Sequence, residues 1–478
     1  MKHHRPRLQT GEVWPGHVRR LGEADGAIVE LETPDGPVDV RVPGAVPGDQ
    51  LFVRLGHVGQ HAAWGTIERL DVPSPDRRQA PCPVVLRCGG CPWQMVDLAA
   101  QQRIRQEDLS ARLGPLAAAT VWHPWAPRPR ATGYRTRALM MARRVRGRLL
   151  TGFFAAGSDD LVAVEACAVQ NPTVDRVLRD AGGVLDRAGV TTWRDATRPG
   201  QLRALLFRLD PRQEGGLLTL IVTHDLGLQT VAGALLAIPG VTGVHANLQL
   251  AAGGAVLGAE TRHILGAERQ TVQIHDTVLE VGPTAFLQTR HDAAEAVVAR
   301  LHAWLPAGVD HLVDLYAGVG VLGLTLRHRA KRVTLVERDP AAVADAAHNV
   351  QRLAAAHVAV VGAAAEVFCA ELATLQPDAV VLDPPRAGCA PAVLAALAAL
   401  PATTRLFYVS CHAASLARDL HVLAAADWQV AELAPIDMFP HTPHAEWVVG
   451  LRKLAVEPTV PKKRAAPARI KKPRPVEV

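Results

Sequence analysis

From His291 onward the chain repeats one unit: a short apolar run, then an Ala-rich stretch of helical length. The runs HLVDLY (311–316), RVTLVE (332–337), DAVVLD (378–383) and RLFYVS (405–410) have the length and Val/Leu content of buried strands. Strands that alternate with helices pair in parallel through crossovers, so this stretch is predicted to be a doubly wound α/β sheet. Ligands in such sheets bind beyond the carboxyl ends of the strands. Asp314, Glu337, Asp383 and Cys411, which sit at or just past those ends, should therefore gather on one rim.

The 478 residues are about three times a ~150-residue domain, which leaves room for two more folding units. Residues from Gly11 to Leu70 read as a small β barrel: GAIVELET, the turn Pro34-Asp35-Gly36, then PVDVRVP with Val38, Val40 and Val42 on one face. Small barrels of this kind often bind oligonucleotides. The stretch 71–281 is mixed, with a helix expected over Leu98–Leu113 and a strand pair at LRALLFRLD and LLTLIVTHD, and its topology is not set by the pattern. After Leu454 the tail mixes Pro, Ala and Lys/Arg and is expected to be disordered. With 49% apolar residues the body can fold. No run is long enough to cross a membrane and the start lacks a secretory apolar core, so a cytoplasmic protein is expected.

The net charge of +6 comes largely from the two ends, and the body between them is near neutral. Within that body, eight arginines between Arg128 and Arg148 occupy 21 residues with no acid. With Tyr134 among them, the run suits phosphate contact and base stacking; alone, it also fits a solvated basic face. Seven cysteines in a chain this long argue against a disulfide framework. Cys82, Cys88 and Cys91 are spaced C-x5-C-x2-C, and Cys167 can complete four thiolates, a set that fits zinc or an iron–sulfur cluster.

Four rim segments carry chemistry. DLYAGVG (314–320) follows a strand and opens a helix, so Gly318 and Gly320 let a ligand approach the backbone, and Glu337 ends the next strand where an acid can accept both ribose hydroxyls. LDPPRAG (382–388) and Ser410-Cys411 end the next two, a combination that hydride-transfer enzymes do not need. With these in one order, the sequence resembles the RNA uracil-5-methyltransferases that carry an N-terminal TRAM barrel and a 4Fe-4S cluster, over residues ~10–454.

The resemblance implies a multidomain α/β protein: a TRAM/OB-like barrel in 1–70, a central mixed α+β iron–sulfur domain that binds RNA in 71–281, and a Rossmann-like class I methyltransferase domain in 282–454, with the basic tail at 455–478. It implies S-adenosylmethionine as methyl donor, held by Gln288, Tyr316, Gly318, Gly320, Glu337 and Asp383. Cluster ligands would fall on Cys82, Cys88, Cys91 and Cys167, with a structural role. Cys411 would be the nucleophile, and Glu446, which ends DMFPHTPHAE, the general base. Phe286 of the F-x-Q element, Pro384 and Arg386, together with Arg135 and Arg137 of the basic run, would meet the RNA. The sequence departs from the family where Val321 and Arg290 replace asparagines. The implied partner is RNA, large-subunit ribosomal RNA ahead of transfer RNA, for a monomeric enzyme that binds no membrane.

The chemistry needs a thiolate, since carbon 5 of uracil is a poor nucleophile until sulfur adds at carbon 6. Cys411 should therefore sit where its neighbours, or a donor to the developing enolate oxygen, favour charge. His441 and His444 are expected to orient their loop, Cys369 and Cys389 to be structural, and Trp93, Trp122 and Trp125 either to stack on bases or to pack in the core. The rivals are a cytosine-5-methyltransferase, which would carry a cysteine where Arg386 follows Pro385, an amino-group methyltransferase, which would not need Cys411, and a non-catalytic RNA-binding iron–sulfur protein.

Overall fold

The computed structural model describes residues 8–454 except 23–25, 60–61, 128–129, 195–199, 211, 213–214 and 252–255. The basic tail at 455–478 and Arg128 lie outside the described residues.

Five strands, Val13–Leu21, Ala27–Leu31, Val38–Val42, Gln50–Val58 and Ala63–Val72, close into a barrel. Alternation along them buries Val29, Leu31, Val40, Val42, Leu51, Val53 and Leu55. Outside, opposite charges are matched: Arg19 with Glu30 at 2.7 Å, Arg54 with Glu68 at 2.6 Å and Arg69 with Asp71 at 2.8 Å. Asp49 is fully buried, accepts the backbone N–H groups of Val46 and Ser74, and pairs with Arg77 at 2.5 Å, which fastens the barrel to the cysteine-bearing segment.

The middle of the chain forms a seven-stranded sheet. Leu202–Asp210 and Gly215–Val222, the expected pair, are buried at every position. The reason is two-sided cover. Helices Pro172–Arg187 and Leu228–Leu236 pack on one face, and Val256 and Leu257 pack on the other. Asn171 caps the first helix by accepting the Thr173 N–H, Pro172 opens it, and Val174, Val177, Leu178, Ala181 and Leu185 recur at the helical period on its buried side.

The C-terminal sheet has eight strands, in the order Val358–Gly362, Ala330–Glu337, Val309–Leu315, Ala379–Leu382, Arg405–Ser410, Glu446–Lys453, Trp428–Ile436 and Val121–Trp122. The first five are parallel, as the alternating pattern predicts. Glu446–Lys453 then inserts antiparallel between its neighbours, with Ser410 opposite Trp447. That register brings the residue after Ser410, Cys411, level with Glu446. The sequence pattern does not show that the short strand Val121–Trp122 and helix Leu98–Leu113 belong to this sheet's surroundings. Trp93 is 5% exposed and packs in the interior, while Trp122 and Trp125 are half-buried and meet Trp447 edge-on at 6.4 and 5.5 Å.

Helix Leu98–Leu113 turns two polar residues, one helical turn apart, toward the segment that ends in Glu446. Gln101 donates to the carbonyls of Trp93 and Val96 and accepts the His441 N–H at 2.7 Å. Arg105 donates to Asp437 at 3.1 Å and to the His444 carbonyl at 2.8 Å, and both members of this ion pair are 1% exposed. Breaking such a pair costs about 3–5 kcal/mol, because the survivor is left as an uncompensated buried charge. No helix among the described residues is long and apolar enough to cross a membrane.

Candidate functional site

A cavity of about 1130 Å³ lies where the rim of the C-terminal sheet meets the middle sheet. Gln288, Tyr316, Gly318, Glu337, Asp383, Pro384, Arg386, Cys411, Glu446, Phe286, Arg135 and Arg137 all line it. Thus every expected cofactor, substrate and reactive position except Gly320 reaches one space. Gly320 shapes the wall instead: with φ of +86° it caps helix Val321–Leu326, and an added Cβ would lie 2.8 Å from Leu324.

One end is built to receive a polar ligand. Glu337 accepts the Gly318 N–H at 2.9 Å and the Arg338 and Asp339 N–H groups at 2.8 Å, so its carboxylate is fixed at its strand end. Tyr316 is held at φ of +61° in the turn before it. Asp314 accepts the Gly323 N–H at 2.7 Å through one oxygen, while the other has no partner. Burial pushes its carboxyl up to about 8, and the charges of Asp383 and Glu337 add to the effect. Val321 lines the cavity, whereas Arg290 turns away from it. Fully buried, Arg290 forks onto Asp292 and donates to the Asp437 carbonyl at 2.6 Å, so the departures from the family pattern fall on one lining residue and one structural cation.

At the other end Cys411, Glu446, Asp383 and Arg386 stand within electrostatic reach of one another. Glu446 is fully buried with neither carboxylate oxygen bonded, and burial followed by Asp383 raises its pKa well above the usual 4.5. Asp383 is raised to about 7 by burial. Burial of both carboxyls, with the charge of Asp383 acting on Glu446, favours the protonated form of Glu446. The expectation that the neighbours of Cys411 favour a thiolate is not met in this structure. Burial first, then Glu446 and Asp383, push the thiol up to about 11, and Arg386 alone pulls it down, by its charge and a hydrogen bond. A protonated carboxyl no longer opposes the thiolate, and a cation bound beside Cys411 would favour it.

The loop that carries Arg386 is clamped. Ser415 donates to the Arg386 carbonyl at 2.8 Å, and Gly388 has φ of +80° with Arg418 and Asp419 where a Cβ would go. Cys389 lies behind the loop, 5% exposed, beside Tyr408 at 3.6 Å, with burial pushing its thiol up to about 12. It is absent from the cavity wall, as is Cys369. His441 bonds the Ala131 carbonyl at 2.6 Å and burial lowers its pKa to about 4, which fits orientation rather than titration; burial lowers His444 to about 4 as well.

The basic run is divided by its strands. Arg143 bonds the Trp193 carbonyl at 3.2 Å and lies over Phe154, and Arg144 pairs with Asp186 at 3.0 Å, so both are used in folding. Arg135 and Arg137 face the cavity. Arg208 and Asp210 line it too, and sequence reasoning missed both. The signal was there: acid and base inside LRALLFRLD, a strand otherwise apolar enough to be covered on both faces.

Cys82, Cys88, Cys91 and Cys167 lie in one neighbourhood. Cys91 feels the charges of Cys167 and Cys88, Cys88 feels that of Cys82, and Arg135 acts on Cys88, Cys91 and Cys167. Cys167 is anchored by its N–H to Asp175 at 2.9 Å. Among the described residues, however, no group of three or more His, Cys, Asp or Glu side chains is arranged to hold a metal ion. The donor set is all thiol, which suits iron–sulfur chemistry in kind, but its sulfurs are not gathered about a single point.

Residues 266–454 match the family model described as tRNA (uracil-5-)-methyltransferase. An RNA methyltransferase of Thermosynechococcus vestitus is 35% identical over 420 residues, covering 86% of this chain and 92% of that protein. One of Gloeobacter violaceus is 34% identical over 426 residues, covering 86% and 91%. The crystal structure of Pyrococcus abyssi tRNA (uracil-54, C5)-methyltransferase with S-adenosyl-L-homocysteine superposes with a TM-score of 0.73 at 23% identity, over 91% of this chain and all of that one, which shows a shared fold. With relatives this similar along nearly their whole length, the chain belongs to the RNA (uracil-5-)-methyltransferase family, enzymes that use S-adenosylmethionine to methylate RNA.

Proposed function

We propose that this enzyme methylates carbon 5 of one uridine in 23S ribosomal RNA through a covalent bond between Cys411 and carbon 6. The supporting observation is the meeting of Cys411, Glu446, Asp383 and Arg386 on the cavity that also holds Gly318 and Glu337. Glu337 accepts the ribose hydroxyls, Tyr316, Gly318 and Gln288 border the donor, and Gly320 shapes its turn. S-adenosylmethionine supplies the methyl group as an electrophilic sulfonium. Cys411 sulfur bonds carbon 6 as its proton passes to solvent in the cavity, and the electrons of the 5,6 double bond pass into an enolate whose carbon 5 takes the methyl. Arg386 and Pro384 border the uracil, and Arg386 stabilises the developing oxyanion. Glu446, ionised once its own proton has passed to solvent, then removes the carbon 5 proton, the double bond re-forms, and sulfur leaves and regains a proton. One proton is released overall.

The target base must leave its stack to enter such a cavity. Phe286, 64% exposed on the wall, offers a face for stacking. Arg135 and Arg137 supply positive charge for the backbone. On the barrel, Trp64 is 49% exposed and stacks on His57 at 3.9 Å, a second aromatic face suited to RNA. The cytosine-5 reading loses its support because Arg386 follows Pro385 and Cys389 is buried behind the loop. A tRNA target is the second reading, favoured by the name of the matching family model.

Mass mapping of 5-methyluridine in ribosomal and transfer RNA from cells with and without the gene decides between them. One 23S site is expected to vanish on deletion; loss confined to tRNA moves the assignment there, and no loss at all overturns the reading.

The four thiols are also proposed to hold a 4Fe-4S cluster, through Cys82, Cys88, Cys91 and Cys167, with a structural part only. Support comes from a donor set made of thiols alone, whose members lie within electrostatic reach of one another. Anaerobically purified protein is expected to contain about four iron and four acid-labile sulfide per chain, lost in Cys91→Ser. Metal content limited to one zinc would refute the cluster.

A further inference from the structure

Arg137 and Arg208 stand directly opposite each other on adjacent antiparallel strands. Like charges in that relation repel and destabilise a sheet. Both also face the cavity, on the side of the sheet away from its two helices. Arg208 is 3% exposed; its two terminal nitrogens donate to the carbonyls of Gly282, at 2.7 Å, and Ala285, and its Nε has no partner. Arg137 is half-buried, its Nε is unpartnered, and no carboxylate pairs with it among the described residues. Burial and the adjacent cation lower the pKa of each, Arg137 against Arg135 and Arg208 against Arg137.

The charge of Asp345 offsets part of that on Arg208, and Asp210 lines the same cavity, but among the described residues no carboxylate is salt-bridged to either guanidinium, so the opposed pair can take a further anion. Resting on the RNA reading above, we propose that Arg137, backed by Arg208 and flanked by Arg135, forms a phosphate subsite that seats one backbone phosphate beside the target nucleotide. Arg208 is the positioning residue: its fork holds the turn at Gly282–Ala285 that presents Phe286 and Gln288. Seating the phosphate thereby sets the wall against which the flipped base is placed. Thr136, between the two cavity arginines, strengthens the link by donating twice to the Thr289 carbonyl, at 2.8 Å from its N–H and 3.1 Å from its hydroxyl.

The test uses full-length protein and a substrate RNA containing the mapped uridine. Arg137→Met is expected to weaken RNA binding by roughly tenfold and to lower the slope of log affinity against log salt by about one, with binding of S-adenosylhomocysteine unchanged. Arg187→Met, at an exposed helix end, should alter RNA affinity less than about twofold. Arg208→Lys keeps a cation but not the fork, and should lower kcat while RNA affinity stays within about threefold. If Arg137→Met weakens S-adenosylhomocysteine instead of RNA, the anion is the donor's carboxylate and the proposal is overturned. An unchanged RNA affinity and salt slope also overturns it, and if wild-type enzyme still forms 5-methyluridine in the same assay, only the subsite fails and the function stands.

Discussion

Cys411→Ala is expected to abolish methyl transfer, by at least about 10⁴-fold in kcat, while RNA and S-adenosylhomocysteine still bind within a few-fold of wild type. The size follows from the chemistry. Without sulfur at carbon 6, carbon 5 belongs to an electron-poor ring and has no electron pair to offer a methyl group, so no arrangement of the remaining residues replaces the lost step. Binding should survive, because Glu337 and the Gly318 turn stand at the other end of the cavity and the arginines lie on another sheet. RNA with 5-fluorouridine at the target separates covalent from non-covalent loss: wild-type enzyme should form a complex that survives denaturing electrophoresis, and Cys411→Ala none. Residual turnover near wild type would mean that another group attacks carbon 6. Cys389 and Cys369 are poor substitutes, since neither reaches the cavity.

The parts of this site that the sequence disclosed are those where backbone geometry makes the choice. Strand ends in a parallel sheet lie on one rim, so Asp314, Glu337, Asp383 and Cys411 could be placed together without side-chain detail. The helix Leu98–Leu113 is found where its pattern predicts. Glu446 needed the family likeness, because an antiparallel insertion between two strands leaves no mark in the alternation of strands and helices. Its burial, with both oxygens unpartnered, was invisible for the same reason. The resting state of Cys411 was misjudged because a thiol's charge depends on which groups the register sets across from it, and here they are carboxyls. The middle sheet hid its order too: seven strands mixing antiparallel neighbours with the parallel pair Gly215–Val222 and Val241–Leu248 cannot be ordered from local pattern. The basic run misled in part, as Arg143 and Arg144 serve the fold while Arg208, outside the run, meets the cavity.

Glu446→Gln should fail one step later than Cys411→Ala, and that difference identifies the base. The amide keeps the shape of the side chain but cannot take a proton, so sulfur addition and methyl transfer proceed while removal of the carbon 5 proton slows by about 10²–10⁴-fold. Unmodified RNA, with no fluorine, is then expected to accumulate as a covalent complex, only when S-adenosylmethionine is present, and digestion should release a nucleotide that already carries the new methyl group. A variant that is merely slow, with no such complex, would assign the proton to Asp383, the other carboxyl on that wall. Stability gives an independent reading. The carboxyl of Glu446 holds its proton more tightly in the folded chain than at the ordinary 4.5 of the unfolded one, so it costs wild-type stability progressively as pH rises above that value toward the folded-state pKa. Gln has no such titration. Unfolding midpoints in urea should therefore shift in favour of Glu446→Gln as pH is raised from about 4.5 to 8, and a constant or opposite difference would show that Glu446 is ionised in the resting enzyme.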